Sequence, residues 1–425
     1  DVITIAALAP RGTFSDYSNF GACVFTTAPS DGFINFVNNN WIGITTTDRT
    51  GAVGYNGHPD NNYTPYFSGT SSASPLAAGV LTLLKHRVPS LDVRYAKHLL
   101  ARYSERVDLA DATATSDGGW RQNAAGLWFN QNYGFGMINA TSLINGAGNW
   151  GGVSALTQTN IGTTNVAQAI SDAPSNGTLG AAVSRTFNVA STTPLEEVLV
   201  TLNISHTKRG DLEARLTSPS GTTSRLMCRF QADADDNINW TFTSNAFWGE
   251  NPAGTWTLAV QDAFVGDTGT WNSYSVNLRQ GTLLPSFTNT LSPTSVVGGG
   301  TSTGTVTLPV PSVGSTTVNL SYSGAGVSGP ATATITNGNS SVNYTVTTTT
   351  VDSNVAGVVT ATISGSSIPA NLTVIRAGVA DITVSPSPVA NGSDATGTVT
   401  LNGPVTSNRT VSLTYSPSGN FAVAP

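Results

Sequence analysis

Ser71 and its neighbours are the residues of this sequence arranged for chemistry. In the stretch Phe67 to His86, FSGTSSASPLAAGVLTLLKH, Gly69 and Thr70 lead into Ser71, and Ser72, Ala73, Ser74 and Pro75 follow. An apolar run from Leu76 to Leu84 comes next, long enough for a buried helix. The pattern places Ser71 at a helix N-terminus, with Pro75 in the first turn, where a missing N–H costs nothing. Free N–H groups and the helix dipole favour negative charge just above Ser71. Acyl transfer needs that feature, because its tetrahedral intermediate carries an oxyanion. Ala73, Ala77, Ala78 and Gly79 keep the first turns thin, so that the helix can approach a central sheet. The plain alternative for the same residues is a buried helix capped by a Ser/Thr cluster.

The elements that must hold this serine follow from the rest of the chain. Its 425 residues suggest about three domains. Charged residues are 10% of the chain and the net charge is −6, which excludes the basic clusters of a nucleic-acid binder. Cys23 and Cys228 fall in different domains, which argues against a disulfide framework and for two buried free thiols. No run approaches the roughly 20 apolar residues of a membrane span. The chain opens inside an expected strand, Val2 to Leu8, so an N-terminal part is expected to precede it. A second β run covers Ala22 to Thr27, and Ser30 to Tyr66 reads as loops over the substrate face. Leu91, Tyr95, Leu99 and Leu100 have helical spacing between Pro89 and Tyr103.

From about Gly151 the period changes to two. Val198, Val200, Leu202 and Ile204 point one way along one strand, and further strands are expected at 212–216, 222–227, 255–260 and 274–278. Nothing of helical length competes, so residues 151–281 read as an antiparallel sandwich. Beyond about Pro285 the composition shifts to Thr, Ser, Gly and Val and repeats: SPTSVVGGGTSTGTVTL from Ser292 returns as SPSPVANGSDATGTVTL from Ser385, and Tyr322 returns as Tyr415 at the same offset. Short strands in modules of that length read as Ig-like sandwiches, one at 285–378 and a truncated second at 379–425.

Gly69-Thr70-Ser71-Ser72-Ala73-Ser74-Pro75 resembles the nucleophile segment of the subtilisin-like serine proteases, Gly-Thr-Ser-x-Ala-x-Pro. Tyr17-Ser18-Asn19-Phe20-Gly21 and the Ala28-Pro29 turn resemble the stretch between the oxyanion-hole region and the nucleophile, and Asn132-Tyr133-Gly134-Phe135-Gly136-Met137-Ile138-Asn139-Ala140 resembles the segment that ends the same catalytic domain, which Trp150 closes. HTKRGDLEARLTSPSGTTSRL and WGENPAGTWTLAVQDAFVGDTGTWNSYSVNL are similar to the P domain of kexin and furin. The resemblance implies the C-terminal part of an α/β subtilisin-like domain over residues 1–150, then a jelly-roll P domain over 151–281. It also implies a secreted or surface-attached serine endopeptidase, an acyl-enzyme on Ser71, a protein or peptide substrate and calcium dependence.

A serine hydroxyl needs a general base and a carboxylate behind that base. In the family these come in the order Asp, His, Ser, so the Asp, the His and the oxyanion Asn are expected upstream of Asp1, and this chain alone is expected to be inactive. Of the four histidines only His58 precedes Ser71, too close for that order, and His86, His98 and His206 follow it. Asp233, Asp235, Asp236 and Asn237 crowd oxygen atoms and could serve calcium, or form a solvated acidic loop. Arg209-Gly210-Asp211 reads as a structural turn ahead of a strand. The competing function is a surface adhesion protein with a degenerate protease domain, in which the Ig-like modules bind.

Overall fold

The computed structural model describes residues 2–35, 40–55, 62–309, 311–312, 314–363, 366–390 and 392–414. They fall into two compact units, Asp1–Leu284 and Pro285–Pro425. Among the described residues no helix is long and apolar enough to cross a membrane.

In the first unit, β1 (Ile5–Leu8) pairs in parallel with β2 (Thr26–Pro29). Helix α1 spans Thr70–Arg87, α2 Val93–Tyr103 and α3 Ala140–Ala147. Of the four small residues expected to bring α1 close to the sheet, Ala73 and Ala77 are buried, whereas Ala78 and Gly79 are exposed. α2 begins four residues after Pro89, because the Asp92 side chain accepts the Tyr95 N–H at 2.7 Å and fixes the start there. Asn139 caps α3 in the same way through the Ser142 N–H, at 2.9 Å.

The segment before α3 runs along β2. Phe135 donates its N–H to Phe25 O and Ile138 to Thr27 O, each at 2.9 Å, and the Thr27 N–H returns to Gly136 O at 2.9 Å. Gly134 sits at φ 60, and a Cβ there would lie 2.3 Å from the Phe25 carbonyl, so backbone meets backbone with no room for a side chain. Residues 30–66 are not all loop. Gly32–Asn35 pairs with Asn40–Ile42, and Ile44–Thr47 with Tyr63–Phe67. Backbone pairing without apolar alternation leaves no periodic signal in the side chains. His58 lies outside the described residues.

Two four-stranded antiparallel sheets complete the unit. One runs in the order Thr157–Ile170, Gly269–Gln280, Leu195–His206, Ile238–Ser244. The other runs Val183–Val189, Gly254–Asp262, Leu212–Thr217, Thr223–Met227. Val198, Val200, Leu202 and Ile204 are buried on one face and pack with Trp256, Leu258 and Val260 of the opposite sheet. Thr157–Ile170 gave no strand signal because most of its side chains are polar and exposed.

In the second unit a four-stranded sheet (Thr288–Ser292, Thr301–Thr307, Ser341–Thr348, Val327–Ser328) and a five-stranded sheet enclose Val306, Val318, Val346, Val359 and Leu372. The five-stranded sheet contains Thr316–Ser323, Val355–Ile363 and Ser366–Ile375. Val379–Ser385 pairs with Thr396–Leu401 in a separate hairpin, and Tyr415 lies outside the described residues.

The cysteines are free but not both buried: Cys23 is exposed and Cys228 is half-buried. Cys23 sits in a turn closed by the Val24 N–H on Gly21 O at 3.1 Å, which sends Ala22, Val24 and Phe25 inward and the thiol out.

Candidate active site

Gly69 is the cap of α1, at φ 79 and ψ 176, and Ser71 stands exposed in the first helical turn. The Thr70 and Ser71 N–H groups have no helical partner four residues back and face the position of an anion, whereas the Ser72 N–H donates to Gly69 O at 3.0 Å. Ser72 turns the other way and is 2% exposed. Pro75 falls in the second turn and not the first, because the helix starts at Thr70. It therefore leaves the Ser71 carbonyl without its usual N–H partner inside the helix.

Both backbone groups of Gly69 are fixed from β2's C-terminal end. The Gly69 N–H donates to Asp31 Oδ1 at 2.9 Å. The Ser30 and Ser72 hydroxyls lie 2.8 and 3.0 Å from Gly69 O and 2.7 Å from each other. Asp31 Oδ1 also receives the Tyr17 hydroxyl, and Ser30 Oγ lies 3.1 Å from it. Burial, and then the bond to Asp31, push the Tyr17 phenol above its usual range, which keeps it a donor. Sequence reasoning noted the Tyr17 stretch and the Ala28-Pro29 turn but missed Ser30 and Asp31 as supports of the serine.

Three histidines can be located. His86 is in the last turn of α1, about 22 Å along the axis from Ser71 at 1.5 Å per residue. His98 lies between Glu196 Oε1, 2.9 Å from Nε2, and the Trp248 indole N–H, 3.3 Å from Nδ1. His206 Nε2 is 3.2 Å from Asp262 Oδ2, with both side chains fully buried. His98 and His206 are thus committed to other partners, and neither serves Ser71.

The protease segment and the first sandwich share a core. Trp248 is 2% exposed and packs against Phe25, with centroids 5.1 Å apart, and against His98 at 4.9 Å. Asn123 Nδ2 donates to Ala246 O at 3.0 Å and to Trp248 O at 2.9 Å. Around this anchor, Arg94 and His98 pair with Glu196, and Lys97 and Arg279 with Glu197. On another side Arg215 grips Asp117 through two bonds of 2.9 and 2.6 Å, with Arg225 behind at 3.7 Å. Burial pushes the Asp117 carboxyl up, but the Arg215 bonds and the charges of Arg215, Arg225 and Arg121 outweigh it and hold the group below its usual range.

The acidic loop is tied down by its own cation. Arg209 bonds Asp233 Oδ2 at 2.9 Å and Asp235 Oδ2 at 2.8 Å. Asp233 and Asp235 thus share one guanidinium, the arrangement of a solvated loop closed by an ion pair. Among the described residues no other group of three or more His, Cys, Asp or Glu side chains gathers to hold a metal. Arg209–Asp211 forms a short 3-10 turn in which Gly210 and Asp211 are buried.

Comparison with known proteins accords with this arrangement. Residues 1–136 match the subtilase family, and residues 195–278 match the proprotein convertase P-domain. A calcium-dependent protease of Trichormus variabilis is 34% identical over 291 residues, covering 65% of this chain and 40% of that protein. An extracellular serine protease of Aeromonas sobria is 30% identical over 307 residues, covering 61% of this chain and 48% of that protein. The crystal structure of the serine protease of Aeromonas sobria superposes with a TM-score of 0.57 at 27% identity, over 65% of this chain and 57% of that one. The chain thus spans less than half the length of these two curated relatives. Residues 1–136 are thus similar to the subtilase family and residues 195–278 to the proprotein convertase P-domain.

Proposed function

We propose that this chain is part of a serine endopeptidase in which Ser71 is the nucleophile. The observation that carries the reading is an exposed serine in the first turn of α1, directly after a glycine whose N–H and C=O are both fixed. Ser71 Oγ attacks the scissile carbonyl carbon and gives its proton to a histidine that lies outside this chain. The oxyanion meets the Ser71 N–H, the amine leaves with the proton from the histidine, and water releases the acyl group by the reverse route.

The substrate is a protein or peptide, and the site of action is outside the cell or at its surface, as the name of the Aeromonas relative suggests. Calcium dependence is carried over from the Trichormus relative. Its ligands are sought outside the Arg209-bound loop. We divide the chain into a protease segment at 1–150, a jelly-roll P domain at 151–281, an Ig-like module at 285–378 and a second, partial one at 379–425. Hydrolysis of a fluorogenic peptide by the complete protein tests the reading. Ser71→Ala is expected to lower kcat by about 10⁴- to 10⁶-fold, and unchanged hydrolysis in that variant overturns it.

A further inference from the structure

We propose that Asp31 and Ser30 are positioning residues that clamp Gly69 and through it aim Ser71. The proposal rests on the reading of Ser71 as nucleophile.

Gly69 takes φ 79, a conformation that side chains disfavour, and it is the hinge between the strand Tyr63–Phe67 and the helix that carries Ser71. Its N–H precedes the helix and its C=O begins it, so a rotation about Gly69 swings Ser71 relative to the β1–β2 pair. Asp31 Oδ1 accepts the N–H at 2.9 Å, and the Ser30 hydroxyl reaches the C=O at 2.8 Å. Two adjacent residues thus hold the groups on either side of the Gly69 φ and ψ torsions, and Ser72 adds its hydroxyl and its N–H to the same carbonyl, each at 3.0 Å.

The clamp is itself braced. Ser15 Oγ donates to Asp31 O at 3.1 Å, and the Tyr17 hydroxyl lies 2.9 Å from Ser30 Oγ as well as on Asp31 Oδ1. Asp31 is 1% exposed, and its Oδ2 is buried without a hydrogen-bond partner. Burying a carboxylate with one oxygen unsatisfied is unfavourable. A purely structural acceptor for one N–H is supplied more cheaply by Ser or Asn. A charge-assisted bond is stronger than a neutral one, and strength at this hinge is what alignment of a nucleophile demands.

The test uses the complete protein, with kcat and KM for a peptide substrate and the rate of fluorophosphonate labelling. Misplacing a reacting group by about 1 Å is worth roughly 10²-fold in rate. Asp31→Ala is therefore expected to lower kcat and the labelling rate about 10²-fold with KM nearly unchanged, while Asp31→Asn, which keeps an oxygen for the Gly69 N–H, recovers at least about tenfold of that loss. Amide exchange at Gly69 is expected to speed up in Asp31→Ala and to stay slow in Ser71→Ala. Should Asp31→Ala not fold, Ser30→Ala decides, with an expected fall in kcat of about tenfold. Wild-type kcat in whichever of these variants folds overturns the clamp. Absence of hydrolysis by the wild-type protein overturns the nucleophile reading instead.

Discussion

The Trp248 indole N–H points at His98 Nδ1, 3.3 Å away, across 150 residues of sequence. Because Nδ1 accepts, the proton of a neutral imidazole sits on Nε2, where Glu196 Oε1 receives it at 2.9 Å. One indole therefore fixes the tautomer of a protease-segment histidine and packs edge-on against both Phe25 and Phe135. Phe25 is also the backbone partner of Phe135, so the P domain reaches the strand pair that underlies α1.

Trp248→Ala empties a site that is 2% exposed and leaves the His98 Nδ1 without its donor. The expected loss is about 3–5 kcal/mol, in line with large aromatic deletions from cores. Urea unfolding of the chain measures it. A midpoint equal to the wild type's contradicts the shared core.

Acid should weaken the same junction. Burial raises the Glu196 carboxyl, but the hydrogen bonds from His98 and Arg94 and the charge of Arg94 prevail and hold it low, as Arg215 does for Asp117. A carboxylate lowered in the folded state contributes stability above its unfolded pKa and loses it as pH falls through the folded value. Thermal midpoints are thus expected to hold from pH 7 to about pH 5 and to drop below about pH 4. Asp117→Asn should flatten that drop and cost about 1.5–3 kcal/mol at neutral pH. An acid slope unaltered by the substitution counts against this origin.

Gly134→Ala places a methyl group 2.3 Å from the Phe25 carbonyl at a positive φ. Strain and overpacking together are expected to destabilise by at least about 2 kcal/mol. Gly126→Ala is a control, since a Cβ there meets only the end of the Gln122 side chain at 3.8 Å, although its φ is also positive. Equal losses in the two variants would show that backbone conformation alone, and not the approach to β2, sets the requirement at Gly134.

Calcium is expected to act elsewhere than the acidic loop. Replacing Asp233, Asp235 and Asp236 together by Asn should leave any calcium-induced rise in thermal midpoint unchanged, because Arg209 already engages one oxygen of each of the first two. Loss of that rise in the triple variant would place the ion there.

The serine was legible because its signal is local: Gly69, Thr70, Ser71 and the apolar run after Pro75 are contiguous. Sandwich strands were legible where one face is buried, as at Val198, Val200, Leu202 and Ile204. Thr157–Ile170 was not, since most of its residues are polar and two register breaks interrupt the spacing of Ile161, Val166 and Ile170, which face the core. Asp31 and Trp248 were invisible for a different reason. Their partners stand 38 and 150 residues away, and only the folded chain brings them together. Pro75 was placed one turn early because the apolar run begins after it, whereas the helix begins at Gly69's cap.

Mass spectrometry of the complete protein after fluorophosphonate treatment tests the central claim most directly. One adduct on the peptide containing Ser71, absent after heat denaturation and absent in Ser71→Ala, is the predicted result. An adduct on a different residue, or none on a folded protein supplied with calcium, contradicts it.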